Sequence, residues 1–363
     1  MEYVLSELSE QVATARAAQR PLRIRGGGTH AFYGNPWAAD DTSAWLDVSA
    51  YKGVVSYEPS ELVLTARAGT PVAEIESLVA GQGQMLAFEP PRFGASGTLG
   101  GCIAVGLAGP RRMAAGTVSD FVLGTRLLGA DGNVLHFGGE VMKNVAGYDL
   151  SRLLAGSLGV LGALVEVSIK VLPVPRSERT TVLALDEAAA LERCLQWRSK
   201  PLPISATAWT ADESGGGRLA VRLSGNGSAV RQGLGHLGGQ VLPETEAEAF
   251  WLGMRDQTHP FFSQRSLWRV VLPPKAPTLN LGPTLHEWQG GLRWLAGSQD
   301  AAALRAKVQS LGGSACLYHR GDVPVDIPTF HPLAAGVLQI HQRLKQEFDP
   351  AGVFNRHRLV PEF

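Results

Sequence analysis

Three consecutive glycines, Gly26-Gly27-Gly28, follow directly on the β-patterned run Leu22-Arg-Ile-Arg25 and lead into Thr29 and His30. Glycine loses more backbone freedom on ordering than any other residue. A triple glycine is therefore costly inside a strand or helix and suits a tight turn or a close backbone approach. With positive φ available and no Cβ in the way, successive N–H groups can turn inward as an anion-binding nest. A plain glycine-rich surface turn is the competing reading of this loop taken alone. Two other phosphate loops are excluded by pattern. No Gly-x-Gly-x-x-Gly enters a helix here, and no Gly-Lys-Ser/Thr follows.

A second loop of the same character, Pro90-Pro-Arg-Phe-Gly-Ala-Ser-Gly-Thr-Leu-Gly-Gly101, comes about 70 residues later. Thr98 offers a hydroxyl, and Gly97, Gly100 and Gly101 offer bare backbone. Two phosphate-cradling loops fit one large dinucleotide better than two small ligands, although the sequence does not show that they face each other. A third segment sets Lys143, Asn144, Tyr148 and Asp149 in apolar sequence ahead of Leu154-Ala-Gly-Ser-Leu-Gly-Val-Leu-Gly-Ala-Leu164. It is either a binding segment or a solvated loop in which Asp149 caps a helix.

The 363 residues exceed what one hydrophobic core usually serves, so two domains are expected. The 33 basic and 33 acidic side chains cancel, which argues against nucleic-acid binding. No apolar run approaches the ~20 residues of a membrane span. The acidic N-terminus lacks the basic-then-apolar pattern of a signal peptide, so a cytoplasmic location is expected. Cys102, Cys194 and Cys316 are far apart, and without a Cys-x-x-Cys pair neither an iron–sulfur cluster nor a structural zinc is expected.

Apolar spacing predicts an opening helix over 4–19 and strands over 22–25, 45–48 and 62–66. A helix is predicted through Val79, capped by Thr70 with Pro71 at its first position. Strands are predicted over 121–128 and 134–137 around the turn Ala130-Asp-Gly-Asn133, a hairpin signal, and over 160–171, with a short helix at 149–154. Leu172-Pro-Val-Pro-Arg176 is the best boundary. Beyond it come strands at 181–185, 205–209 and 218–223, helices at 187–199 and 302–311, glycine-rich turns at 214–217 and 224–227, and a last amphipathic helix at 333–348.

Taken together, Arg-Gly-Gly-Gly-Thr, Gly-Thr-Leu-Gly-Gly, and Lys-Asn-Val-Ala-Gly-Tyr-Asp-Leu with Gly-Ser-Leu-Gly-Val-Leu-Gly resemble the vanillyl-alcohol-oxidase/PCMH-type FAD-binding family. Within it the set most resembles the FAD-binding subunits of glycolate oxidases. The resemblance covers residues 1–175, with a weaker match in Phe348-Asp-Pro-Ala-Gly-Val-Phe-Asn355. It implies an α+β fold: a PCMH-type FAD-binding domain of two subdomains over 1–173, then a smaller α+β cap-like domain over 174–363. The tail, about 340–363, would return to the FAD domain. Gly26, Gly27, Gly28, Thr29 and His30 would hold the pyrophosphate. Gly94, Gly97, Thr98, Leu99, Gly100 and Gly101 would bind phosphate and approach the flavin. Ala163 and Leu164 would contact the adenine side, and Asn355 would lie near the isoalloxazine. Where the family continues Asn-Pro-Gly, this chain has Asn355-Arg-His-Arg358. Some relatives attach FAD covalently through a first-loop histidine. Here His30 follows Thr29 rather than the glycines, so non-covalent FAD is expected.

The second half carries no His-x-His cluster of the kind that binds metal in relatives oxidising D-2-hydroxy acids. Its histidines are scattered singly, and no metal site or catalytic residue is assigned. Arg111-Arg112 is read as a solvated surface pair, with steering of an anionic substrate as the alternative. Trp251, Trp268, Trp288 and Trp294 are assigned to a core or an interface. The resemblance implies a FAD-binding subunit of a glycolate oxidase complex. Its substrate would be a small 2-hydroxy acid and its partners a catalytic flavin subunit and an iron–sulfur subunit, with membrane association only through them. A stand-alone FAD-dependent 2-hydroxy-acid dehydrogenase and a non-catalytic flavin-fold scaffold remain the alternatives.

Overall fold

A computed structural model describes residues 1–38, 40–139, 149–212 and 216–363. The chain forms two compact units. The first joins Met1–Leu107, Thr117–Pro173 and Pro332–Phe363, and the second joins Ala108–Gly116 with Val174–His331. Each is a mixture of helix and sheet, as the α+β reading requires.

In the first unit a five-stranded antiparallel sheet runs in the order Val54–Glu58, Val63–Arg67, Ala163–Lys170, Val122–Leu128, Val134–Gly138. Its central strand is buried along most of both faces, which is why Ala163-Leu-Val-Glu-Val-Ser-Ile reads as a nearly continuous apolar run. The hairpin turn closes as its residues suggest. Gly132 has φ +83°, and Asp131 accepts from the Asn133 N–H at 3.0 Å. A separate parallel pair, Leu22–Arg25 with Ala44–Asp47, carries the first glycine loop at its exit. Leu22 and Leu46 face a core shared with Leu8, Val12 and Ala15 of the opening helix Glu2–Ala17 and with Val353 and Phe354 of the tail.

The helix Val72–Ala80 begins one residue later than its sequence signal. Pro71 is the N-cap, and the Thr70 hydroxyl donates instead to Arg67 O at 2.7 Å and accepts from Gly53 N–H at 2.9 Å. Leu99–Val105 is a short helix that glycine-rich sequence did not announce; Thr98 caps it, accepting from Gly101 N–H at 3.3 Å. Lys143, Asn144 and Tyr148 lie outside the described residues. Asp149 caps the helical turn Leu150–Leu153 through Arg152 N–H.

The second unit is built on an eight-stranded antiparallel sheet. Its order is 240–241, 177–184, 217–225, 204–211, 284–287, 292–296, 267–271, 314–319. Residues 224–227 are not a turn between strands: the strand ends at Gly225 and the helix Gly227–Leu237 follows. Trp251, Trp268, Trp288 and Trp294 are all buried. Arg111 and Arg112 are not a solvated pair. Arg111 is 7% exposed and bonds Glu178 at 2.7 Å, while Arg112 lies over the Trp288 ring at 4.5 Å. The segment 108–116 packs into this unit, which pairs charge and aromatic groups that sequence neighbours do not supply. No described helix is long and apolar enough to cross a membrane.

Candidate cofactor-binding site

The exit of the strand Leu22–Arg25 opens on a cleft of about 910 Å³, mouth included. This lies in the size range of small-molecule and cofactor sites. One side is Gly26 to Ala31, another is Thr98, Gly100 and Gly101, and a third is Leu158, Gly159, Gly162 and Leu164. Trp37, Trp45 and Val48 add apolar wall, and Asn355 and Arg358 reach it from the tail.

The two glycine loops face each other. Ser96 Oγ donates to Gly27 O at 3.0 Å. Phe93 stands edge-on to both His30 and Phe32, with ring centroids 5.2 Å away in each case. This contact explains two of the glycines in a way the sequence could not. A Cβ on Gly26 would meet Thr98 Oγ1 at 2.4 Å, and one on Gly27 would meet Ser96 O at 1.5 Å. The facing loop by itself leaves no room for a Cβ at either position. Gly28 differs: its φ is +74° and nothing stands within 4 Å of its missing Cβ.

From Gly26 to His30 the backbone N–H groups find no acceptor among the described residues, while the carbonyls of Gly27, Gly28 and His30 are used. Gly28 is exposed and its four neighbours are half-buried, so these donors face the cleft rather than the core. Five in succession on the wall of a cleft are the donor arrangement that an anion-binding nest requires. Burial pushes the His30 imidazole down to about 4, and Thr29 Oγ1 sits 3.1 Å from its Nδ1. His30 is therefore neutral at physiological pH.

Gly26, Gly27, Gly28, Thr29, His30, Thr98, Gly100, Gly101, Leu164 and Asn355 are brought together on the cleft. Leu99 and Ala163 are not on its wall; both are fully buried in the core. Gly94 and Gly97 lie beneath Thr29, whose side-chain atoms would stand 3.8 and 3.3 Å from their Cβ positions. Asn355 is a clamp. Its Oδ1 accepts from Ile24 N–H at 2.8 Å and its Nδ2 donates to Leu158 O at 2.6 Å, tying the strand before the nest to the wall opposite.

Residues 5–138, which contain both loops, match the FAD binding domain family. The glycolate oxidase subunit GlcE of Escherichia coli K12 is 44% identical over 357 residues, 98% of this chain and 97% of that protein. The chain belongs to the GlcE family. The glycolate oxidase subunit GlcD of Bacillus subtilis 168 is 29% identical over 50% of the chain and 38% of its own length. A D-lactate dehydrogenase of Archaeoglobus fulgidus is 28% identical over 64% of the chain and 51% of its own. A solved structure of alkyldihydroxyacetonephosphate synthase shares the fold, with TM-score 0.65 and 15% identity over 96% of the chain and 73% of that structure.

FAD is the cofactor of this GlcE-family chain. The residues present fit it: a nest of unsatisfied donors for a pyrophosphate, continued by apolar and aromatic wall for the rest of a dinucleotide. Two groups that shape the tail around the site carried little sequence signal. Lys345, 5% exposed, donates to Asp349 at 2.7 Å, Val160 O at 2.7 Å and Phe354 O at 3.0 Å. Burial holds its ammonium below the ordinary lysine range, against the opposing pull of Asp349. Asp349 in turn accepts from the N–H groups of Val353 and Phe354 at 2.8 Å each. The pair folds the tail so that Asn355 reaches the cleft. Its only trace in sequence is the i, i+4 spacing of Lys345 and Asp349 at a helix end. Arg358 is the second, and nothing in its neighbours marks it.

Proposed function

We propose that this chain is the FAD-binding subunit of a glycolate oxidase complex, acting in the oxidation of glycolate to glyoxylate. The observation that carries the reading is the full-length likeness to a glycolate oxidase subunit, laid over a cleft whose donors ask for a dinucleotide phosphate. Bound FAD would supply two-electron redox chemistry for the oxidation of a 2-hydroxy acid. The chain's own residues bind and orient. Gly26 to His30 hold the pyrophosphate through backbone N–H groups, supported by Thr98, Gly100 and Gly101 from the facing loop. Gly94, Gly97 and Leu99 act behind that loop, setting its path. Leu158 to Leu164, with Ala163 buried behind them, flank the adenosine half, and Asn355 fixes the spacing between the two walls.

FAD is held without a covalent bond. In support, His30 is turned edge-on to Phe93 with Thr29 at its Nδ1. Trichloroacetic acid precipitation of the holoprotein releases all flavin to the supernatant on this reading; flavin remaining in the pellet overturns it. The FAD domain is Met1–Leu107 and Thr117–Pro173 with the tail Pro332–Phe363, and Val174–His331 form the cap-like domain with the strap Ala108–Gly116.

Electrons leave this chain for a catalytic flavin subunit and an iron–sulfur subunit, and membrane association comes through them. The subunit name of the relative supports a complex. Purified alone, the chain shows a flavin absorbance spectrum but turns over glycolate and D-lactate with a dye acceptor far more slowly than the co-expressed complex. Ordinary turnover by the chain alone makes it a stand-alone dehydrogenase. A colourless chain that FAD cannot reconstitute makes it a scaffold.

A further inference from the structure

Arg358 is 7% exposed and lines the cofactor cleft. Its guanidinium donates to three backbone carbonyls, those of Ala31, Tyr33 and Asn35, with the Tyr33 contact at 2.8 Å. The two segments are also joined in the other direction. Asn35 N–H donates to Arg358 O at 2.9 Å, and Asn35 Nδ2 donates to His357 O at 2.8 Å. Gly34, at φ +124°, leaves the room: a Cβ there would stand 2.6 Å from Arg358 Nε. The guanidinium also lies 5.1 Å from the Trp37 ring, on which Arg23 stacks at 4.7 Å.

These partners orient the guanidinium without neutralising it. No carboxylate bonds Arg358 among the described residues, whereas its neighbour Arg23 has Asp41 at 3.0 Å. Burial, and then the charge of Arg23, push the Arg358 guanidinium down to about 10. A buried cation that is bonded only to carbonyls keeps most of its desolvation cost. Its acceptor Ala31 directly follows the five-donor nest, so the surplus charge and the unsatisfied donors occupy one region of the cleft wall.

We infer that Arg358 is a positioning residue of the phosphate site, shaping the turn after the nest and supplying the fixed positive charge that a dinucleotide's pyrophosphate completes. The tail then does more than close the fold: it carries the counter-charge of the cofactor. This rests on the FAD reading of the cleft.

The test uses the full chain stripped of flavin. Kd is measured by titration calorimetry for FAD, for ADP and for riboflavin, which lacks phosphate, with the parent, Arg358→Met and Arg358→Lys. A hydrogen bond or ion pair to a charged group at this strength predicts about a 10–100-fold loss of FAD and ADP affinity in Arg358→Met. Riboflavin affinity stays unchanged, and Arg358→Lys recovers part of the ADP affinity because it keeps the charge. Equal FAD and ADP affinity in Arg358→Met and the parent overturns the inference while leaving FAD binding intact. So does an equal loss for riboflavin and ADP, the mark of a purely structural role. A parent chain that binds neither FAD nor ADP overturns the FAD reading itself, and this inference with it. A measurement without substitutions covers the case in which Arg358→Met does not fold. Inorganic pyrophosphate raises the Tm of the flavin-free parent, and the rise shrinks with added salt; no rise in a chain that still binds FAD overturns the inference.

Discussion

Replacing Lys345 with methionine isolates the device that folds the tail against the first unit. Lys345 and Asp349 are 7% and 0% exposed at their side chains and 2.7 Å apart. Methionine matches the length of the lysine stem, so packing is largely kept. What is lost is one cation with three acceptors: the Asp349 carboxylate, Val160 O and Phe354 O. Asp349 keeps the two N–H donors of Val353 and Phe354 but becomes a buried anion without its counter-ion. Removing one partner of a buried pair costs about 3–5 kcal/mol. At about 2–4 °C per kcal/mol for a domain of 150–250 residues, the loss in Tm is roughly 6–20 °C. Differential scanning calorimetry of the flavin-free chain reads it as a downward shift of one transition, with the second unit's transition unmoved. Adding Asp349→Asn removes the orphaned charge, so the double variant loses less than the two single variants summed, by about 0.5–3 kcal/mol of coupling. A Lys345→Met transition within about 1 °C of the parent would refute the reasoning, because it would mean the buried charges are already compensated elsewhere.

Three further outcomes follow from the same geometry. Gly27→Ala places a methyl group 1.5 Å from Ser96 O, so the two loops must part; the purified variant is expected to carry little flavin while circular dichroism stays close to the parent, and a full flavin-to-protein ratio would contradict the loop contact. His30 has a folded pKa of about 4 against an ordinary 6.5, so between those values the unfolded chain binds more protons, and stability rises with pH and is lost as pH falls through that window. The contribution is about 3 kcal/mol, and His30→Gln should flatten the stability profile there by this amount; an unchanged slope by denaturant titration would show that His30 is not the titrating group. In the second unit, Glu178→Gln removes the carboxylate that Arg111 approaches at 2.7 Å and Arg222 at 3.8 Å. Because Glu178 is itself 37% exposed, the expected loss is about 1–3 kcal/mol in urea unfolding of that unit, and no change would place the pair among solvent-screened contacts.

Much of this protein is local and therefore legible in one dimension. A triple glycine after a β-patterned run states a turn with exposed N–H groups, whatever the rest of the chain does. The hairpin at Ala130 to Asn133 and the buried strand from Ala163 are written in turn chemistry and apolar content. The combination of glycine segments was enough to point to the FAD family. Contacts between distant residues are not written that way. A Cβ on Gly26 or Gly27 would collide with Thr98 or Ser96, a fact held jointly by two loops some 70 residues apart. Arg111 looked like a surface charge because it sits beside a second arginine after Gly109-Pro110; Glu178 supplies its partner across the fold. Lys345, Asp349, Asn355 and Arg358 sit in a tail whose composition is ordinary. Their roles arise only where helix end, nest and opposite wall meet, because an unpaired charge or donor acquires meaning from what the tertiary structure leaves beside it. The sequence by itself determined the cofactor class and the loops that meet it; the tertiary structure decided which glycines the facing loop presses on, which one stands open on the cleft, and that the tail's arginine lines the same cleft.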